Sequence, residues 1–316
     1  MALEIALIIV GIVLLLIAGD LLVRGAAGLA TALRIPALFI SLTIVAFGTS
    51  APELFVAVQA VETGNAGIAL GNIIGSNIAN ILLVIGLPAA IYPISARGPG
   101  LIRHGAAMIV ATIAFAILAY GRGEIDARAG GGLLAGIFLY IAYTGWRAGK
   151  GGDEPVIDEV SEYAGRGGKA ALFLIAGLVG LPIGAHLLVN NGAALAAALG
   201  VRQELIGLTL IAIGTSLPEL ATVTAAALHK RSDVAMGGVI GSNIFNIFAV
   251  GGAAGLAGGA KFDVGSLHFD IPVMMATAIL AAWFIFLKRD ITRITGILMV
   301  LLYFGFIAAV VLKVRG

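Results

Sequence analysis

The sequence predicts an all-α polytopic membrane protein of ten transmembrane helices, arranged as two inverted five-helix repeats. The first observation is composition: 60% of the 316 residues are hydrophobic and only 11% are charged, with a mean hydropathy of +1.09. The second is that apolar runs of about twenty residues or more recur along the chain, which suits membrane helices and exceeds the length of barrel strands. The third is a repeat: residues 48–86 and 214–252 align without a gap, at an offset of 166, with 18 of 39 positions identical.

The chain divides into ten apolar spans and one polar segment. The first apolar run has no small-residue cleavage site behind it, so we expect a retained helix and not a cleaved signal peptide. The polar segment is acidic and rich in glycine, which is typical of a linker. This linker, at 149–168, separates a first repeat at 1–148 from a second at 169–316. The predicted spans are 3–30, 37–61, 67–92, 103–121 and 127–147, then 169–199, 204–228, 234–257, 269–288 and 291–313.

The number of spans in each half determines the predicted architecture. Five is odd, so the second half must lie upside down in the membrane if both halves fold alike. Such inverted repeats are typical of secondary transporters, whose substrate site lies at the repeat interface near the midplane. With the N-terminus outside, thirteen Lys and Arg residues fall at the cytoplasmic ends of spans and six at the outer ends. The positive-inside rule therefore predicts a cytoplasmic linker and both termini outside.

One glutamate lies deep in the membrane in each repeat, within the shared motif GTSxPEL. Glu53 is about sixteen residues into its span, and Glu219 occupies the equivalent position. A carboxylate at this depth is costly and by default marks an ion path. The structural alternative is a protonated or helix-paired glutamate that only packs the bundle. Two glutamates at equivalent repeat positions favour the ion path.

The residues before each glutamate supply further oxygen atoms. Pro52 and Pro218 lack an N–H, so we expect each to disturb the preceding turn and to free carbonyls at 46–49 and 212–215. The neighbouring hydroxyls could instead bond back to their own helix. Two carboxylates, hydroxyls and loose carbonyls make an all-oxygen site, which suits hard cations such as Ca²⁺ or Na⁺. The hydroxyl candidates are Thr49, Ser50, Thr215 and Ser216.

A second shared motif, GSNIxN, places small polar residues four positions apart on one helix face. Hydrogen bonding between helices is the alternative role for such residues in membranes. We assign that role to Asn77 and Asn243, which point elsewhere on the helix. The residues predicted to lie at the site are Ser76, Asn80, Ser242 and Asn246.

Composition and motifs also exclude several functions. The chain has no cysteine, which rules out disulfides and thiolate metal sites. A net charge of +2 is too small to indicate nucleic acid, and the lack of a glycine-rich phosphate loop leaves nucleotide binding unsupported. Asp20 and Arg24 are expected to form a local ion pair. No role is assigned to His104, His229 and His268, which lie near loops.

With GTSAPEL and GSNIAN in the first repeat and GTSLPEL and GSNIFN in the second, the sequence resembles the sodium/calcium exchangers of the calcium/cation antiporter superfamily. The resemblance covers the full ten-span chain. It implies exchange of Ca²⁺ for Na⁺ by alternating access at a shared midplane site. We further expect a monomer in the lipid bilayer of a prokaryotic cell (inner) membrane, with no cofactor, no nucleotide and no enzymatic activity.

The resemblance also implies roles for individual residues. The Ca²⁺ site would comprise Glu53 and Glu219 with oxygens of Thr49 and Thr215. The Na⁺ sites would share the two glutamates, and Asn80 and Asn246 would line the centre. The other implied Na⁺ ligands are Ser50, Ser76, Ser216 and Ser242, with the carbonyls of Ala46 and Ala212.

Two departures from the family pattern shape these expectations. Some relatives carry Asp where this chain has Asn80 and Asn246, so neither potassium dependence nor a third carboxylate is expected here. Gly238 stands where the first repeat has Asn72, and the sequence offers no physical account of it. The main alternative function is an H⁺/Ca²⁺ antiporter in which the glutamates take protons. A cation channel is a more remote alternative.

Overall fold

The computed structural model describes residues 2–149, 167–199, 212–262 and 266–315. In this part of the chain, eight helices are long and apolar enough to cross a membrane, or nine if one bent pair counts as a single span. The prediction of an all-helical membrane protein is therefore confirmed. Most of the predicted linker and the first part of span 204–228 lie outside the described residues.

The first repeat consists of three regular helices, one broken span and one continuous span that contains a π-helical turn. The regular helices are α1 (Ala2–Leu33), α7 (Leu101–Arg122) and α8 (Ala127–Gly149). The second span comprises α2 (Ala37–Ile40), a π-helical turn (Ser41–Val45), α3 (Ala46–Thr49) and α4 (Ala51–Glu62). The third comprises α5 (Ala66–Ala79), a π-helical turn (Asn80–Ile85) and α6 (Gly86–Ile91).

The second repeat has the same order of elements where it is described. It begins with α9 (Gly167–Ala198), and the next span contains α10 (Ala212–Gly214) and α11 (Leu217–Leu228). The following span comprises α12 (Ser232–Phe245), a π-helical turn (Asn246–Val250) and α13 (Gly251–Ala257). A π-helical turn (Ser266–Asp270) leads into α14 (Ile271–Phe286), and α15 (Arg293–Arg315) follows.

The shared GTSxPEL motif starts a new helix in the middle of a span. The segments before and after Ser50 meet at an angle of 42°. Pro52 is the second residue of α4, and Pro218 is the second residue of α11. Proline suits the first turn of a helix, because the N–H that it lacks would have no helical partner there. Each motif therefore places the N-terminus of a half-helix inside the membrane.

Helices α1 and α9, which start the two repeats, pack against each other in antiparallel orientation. Glycines permit the close approach: a Cβ at Gly11 would lie 2.9 Å from the Gly184 carbonyl oxygen, and one at Gly184 would lie 3.0 Å from that of Gly11. Further along, a Cβ at Gly25 would overlap the backbone of Leu174. Antiparallel packing of two equivalent helices is what an inverted repeat requires.

Short strands join loops of the first repeat to loops of the second. Strand β1 (Glu124–Ile125) pairs antiparallel with β2 (Ala260–Lys261), so that Ile125 lies opposite Ala260. An isolated bridge joins Ile94 to Ile291. Residues 94 and 260 are 166 positions apart, and so are 125 and 291. The second bridge is thus the repeat equivalent of the first.

Candidate functional site

The two intramembrane glutamates occupy matching positions at the starts of half-helices. Glu53 is the third residue of α4 and Glu219 the third of α11, and their exposed fractions are 0% and 2%. Each carboxylate also accepts a hydrogen bond from its own backbone N–H. The N-terminus of a helix carries a partial positive charge, which stabilises a carboxylate there. The fold thus lowers the cost of placing two acidic groups in the membrane.

Each carboxylate is contacted from both repeats. Ser242 donates to Oε1 of Glu219 at 3.4 Å, and Ser50 of the first repeat donates to the same oxygen at 3.3 Å. Ser76 donates to Oε1 of Glu53 at 3.5 Å. The threonine hydroxyls also lie near the glutamate of the other repeat, Thr49 near Glu219 and Thr215 near Glu53. The hydroxyl of Thr49 also lies 3.4 Å from that of Ser242.

Several buried polar atoms at this site have no hydrogen-bond partner among the described residues. Buried polar groups are nearly always paired, so a cluster of exceptions indicates a site for a ligand. Carboxylate, hydroxyl and amide oxygens are the ligands that hard cations prefer. The atoms are Oε2 of Glu53, Oε2 of Glu219, Oγ of Ser216, Oδ1 of Asn80, and both Nδ2 and Oδ1 of Asn246.

The asparagines of the GSNIxN motifs form a chain of hydrogen bonds across the repeat interface. Asn80 donates through Nδ2 to Oδ1 of Asn243 at 3.0 Å, and Asn243 donates to the Asn77 carbonyl at 3.3 Å. Asn77 itself bonds back to the Ile73 carbonyl at 2.7 Å. Asn243 therefore bonds between helices, as predicted, whereas the same prediction is wrong for the side chain of Asn77, which bonds within its own helix. Asn243 also fixes the amide of Asn80 so that Oδ1 is the atom left without a partner.

Asn80 and Asn246 begin π-helical turns, a feature that the sequence analysis missed. Single π-helical turns inside α-helices are frequent at functional sites, because the wider turn displaces backbone groups from the regular ladder. No local sequence signal distinguishes such a turn from an ordinary one. The only available hint was that both turns follow directly from the shared motif.

The backbone carbonyls of Ala46 and Ala212, which were predicted as ligands, have less support than the side chains. The carbonyl of Ala46 accepts hydrogen bonds from the N–H of Ser50 at 3.0 Å and from the hydroxyl of Thr49 at 3.4 Å, so proline does not free it. The reason is geometric: the N–H that Pro52 lacks would have met the carbonyl four residues earlier, at Gly48. Ala212 opens a described segment, and its side chain is not described. The N–H of Ser216 bonds to Ile213 at 3.0 Å, so this turn differs between the repeats.

A polar contact outside the motifs joins the two repeats. The predicted ion pair between Asp20 and Arg24 is present at 2.8 Å. The other oxygen of Asp20 bonds to Nε2 of His229, just beyond the end of α11. His229 has no predicted role, and nothing in the local sequence indicates this contact.

Comparisons with known proteins match nearly the whole chain to one family. The family model described as "Sodium/calcium exchanger protein" matches residues 3–148 and 169–312. The chain is 37% identical to CaxA of Alkalimonas amylolytica, over 95% of this chain and 96% of that protein. It is 30% identical to the sodium/calcium exchanger MaX1 of Methanosarcina acetivorans, over 95% of this chain and 96% of that one.

The chain is also similar to solved structures of a sodium-calcium exchanger. The sodium-calcium exchanger NCX_Mj, from a crystal soaked with 2.5 mM Na⁺ and 1 mM Sr²⁺, superposes with a TM-score of 0.83 at 31% identity. The match covers 97% of this chain and 98% of that chain. At this identity and coverage, the likeness extends to the helices that carry both glutamates.

Proposed function

We propose that this chain, which belongs to the sodium/calcium exchanger family, is a secondary antiporter that exchanges Ca²⁺ for Na⁺ at one site between its two repeats. Membership of the family makes it a cation exchanger and not an enzyme. The observation that carries the proposal is the pair of buried carboxylates, Glu53 and Glu219, each contacted by hydroxyls from both repeats.

Ca²⁺ and Na⁺ compete for the same two carboxylates, which explains why such a site exchanges the ions. Two carboxylates are neutralised by one Ca²⁺ or by Na⁺ ions, but one site does not hold both sets together. An empty site would carry two desolvated negative charges, and removing charges from water without a partner is expensive. The protein should therefore change between its open states readily when loaded and slowly when empty. That difference produces exchange and limits leak.

Roles follow for the surrounding oxygens. In the proposed site, Glu53 and Glu219 hold Ca²⁺ together with the hydroxyls of Thr49 and Thr215. Na⁺ ions share the glutamates, and the amides of Asn80 and Asn246 line the centre. The remaining proposed Na⁺ ligands are Ser50, Ser76, Ser216 and Ser242, with the carbonyls of Ala46 and Ala212.

The proposed membrane arrangement is ten helices in two inverted five-helix repeats, 1–148 and 169–316. The antiparallel packing of α1 on α9 and the equivalent bridges at 94–291 and 125–260 support it. The count of basic residues supports a cytoplasmic linker at 149–168 and both termini outside a prokaryotic cell membrane. One chain supplies every proposed ligand, which supports a monomer as the functional unit.

Coupling to Na⁺ distinguishes this proposal from an H⁺/Ca²⁺ antiporter built on the same glutamates. Proton coupling needs only titratable groups, whereas the hydroxyls and amides around the glutamates are ligands for Na⁺. The test is ⁴⁵Ca²⁺ uptake into Na⁺-loaded proteoliposomes without K⁺ and with a protonophore present, compared with choline-loaded vesicles. Uptake should require internal Na⁺ and ignore the protonophore. Uptake that follows a pH gradient and is indifferent to Na⁺ would overturn the proposed coupling.

A further inference from the structure

The start of α4 is tied to α5 by a hydrogen bond that has no counterpart in the second repeat. Asn72, a partly buried residue of α5, donates through Nδ2 to the backbone carbonyl of Glu53 at 3.0 Å. Glu53 lies in the first turn of α4, directly after the break at Ser50. We propose that Asn72 is a positioning residue that fixes where the Glu53 carboxylate enters the site. This inference rests on the proposed function of Glu53 as an ion ligand.

The equivalent position in the second repeat is Gly238, and the space beside it is open. No atom of the described residues lies within 4 Å of a Cβ placed there, although the residue is buried. Gly241, one turn further along α12, is different: a Cβ there would lie 2.6 Å from the Cβ of Ala46 and 2.8 Å from the Leu42 carbonyl oxygen. Crowding therefore explains the glycine at 241 but not the one at 238.

The second repeat holds its carboxylate by other means. Glu219 accepts side-chain hydrogen bonds from Ser50 at 3.3 Å and from Ser242 at 3.4 Å. Glu53 has only the longer bond from Ser76, at 3.5 Å, among the serines. Ser216, the repeat equivalent of Ser50, has a buried hydroxyl that bonds to none of the described residues. Glu219 is thus held through its carboxylate, whereas Glu53 depends more on its backbone and on Asn72.

The test compares Asn72→Ala and Asn72→Leu with Gly238→Ala in the purified full-length chain. Leucine has the same branching and the same number of side-chain heavy atoms as asparagine but lacks the donor. Both Asn72 variants should weaken equilibrium ⁴⁵Ca²⁺ binding about three- to tenfold, the usual effect of one hydrogen bond. In exchange assays, the KM for Ca²⁺ should rise while the maximal rate stays within about twofold. Gly238→Ala should match the parent protein, because its methyl group meets open space.

Parent-like Ca²⁺ affinity in both Asn72 variants would overturn the inference. So would an unchanged affinity with a lower maximal rate and a lower melting temperature, since that pattern indicates a structural role. Binding is measured without any gradient, so it does not depend on which ion drives transport. A coupling to H⁺ would contradict the proposed function and leave this test intact.

Discussion

Helices α1 and α9 are equivalent in the two repeats, yet their surroundings differ. In its second half, α1 buries Leu22, Val23, Ala26, Ala27 and Ala30. In the equivalent half of α9, from 186 onward, no residue whose burial is described is fully buried. Helix α1 also packs closely on α11, where a Cβ at Gly19 would lie 2.8 Å from the Ala221 carbonyl oxygen. Among the described residues, α9 makes no comparable contact with α4.

Polar contacts follow the same asymmetry. Asp20 of α1 bonds to His229 beyond α11, whereas the only partner of its repeat equivalent, His186, among the described residues is Asn190 in its own helix. Thr63, the equivalent of His229, bonds to carbonyls of its own helix. The two repeats thus match in where they place their glutamates and differ in the contacts that surround them. The structure is closed where α1 meets α11, and the alternating access that we propose would require this closure to move to the equivalent contact of the other repeat.

The largest effect is expected when either of the two site carboxylates is removed. Glu53→Gln and Glu219→Gln should each reduce Ca²⁺ exchange by more than about 100-fold, because one remaining carboxylate cannot neutralise Ca²⁺ in a buried site. The effects should be similar, because each variant leaves the shared site with a single carboxylate. ⁴⁵Ca²⁺ flux in proteoliposomes measures this, with Glu62→Gln at the exposed end of α4 as the control. Substantial flux in either variant would contradict a shared site.

The proposed arrangement also requires the two repeats to lie in opposite orientations in the membrane. In this naturally cysteine-free chain, single cysteines at Asp153 and Lys313 should react with impermeant reagents from opposite sides of the membrane. Asp153 should be the cytoplasmic one, because the basic residues cluster on that side. Labelling intact and inverted vesicles measures this. Reaction of both positions from one side would refute the inverted five-plus-five arrangement.

A smaller effect is expected at the seam between α1 and α9. Gly184→Ala should destabilise the protein by about 1–3 kcal/mol, because the added methyl group would lie only 3.0 Å from the Gly11 carbonyl oxygen and 3.1 Å from the Leu15 nitrogen of α1. Gly168→Ala on the same helix is the matched control, since no described atom lies within 4 Å of a Cβ there. Thermal unfolding in detergent compares the two variants. Equal melting temperatures would show that the helices do not pack as described.

The smallest effect is expected from removing the bond between Asp20 and His229, which joins α1 to the end of α11. Asp20 and His229 are each about one-third exposed. Ion pairs of this kind contribute up to about 1 kcal/mol, so Asp20→Asn should shift the population toward the opened state by about fivefold or less. The measurement is the modification rate of a single cysteine at Ala221, which should rise. His186→Ala, at the equivalent position of α9, should leave that rate unchanged, and a matching rise in this variant would contradict the asymmetry.

The ends of two spans of the first repeat were predictable from the sequence, because proline and glycine lie beside them. The predicted span 37–61 corresponds to helices that run from Ala37 to Glu62, and 67–92 corresponds to Ala66–Ile91. Proline and glycine fix these ends through local backbone chemistry, so no tertiary information is needed. The grouping of Glu53 with Glu219 was likewise foreseen, since repeat equivalence places both at one interface.

Other features depend on contacts that no local pattern encodes. His229 and Asp20 are 209 positions apart, and only the packing of α1 on α11 brings them together. The hydrogen bond from Asn72 to Glu53 depends in the same way on how α5 meets the broken span. The π-helical turn that begins at Asn80 changes the hydrogen-bond register of the helix. The same helix-forming residues fit either register, so the sequence does not predict the change.

Competition between the two ions tests the central claim most directly. Equilibrium ⁴⁵Ca²⁺ binding to the purified protein is titrated with Na⁺, and in parallel with K⁺ at the same ionic strength. The account predicts that Na⁺ displaces Ca²⁺ completely and steeply, with more than one Na⁺ per Ca²⁺, while K⁺ does not. Glu53→Gln and Glu219→Gln should bind no Ca²⁺ under the same conditions. Ca²⁺ that stays bound at saturating Na⁺ would contradict a site that the two ions share.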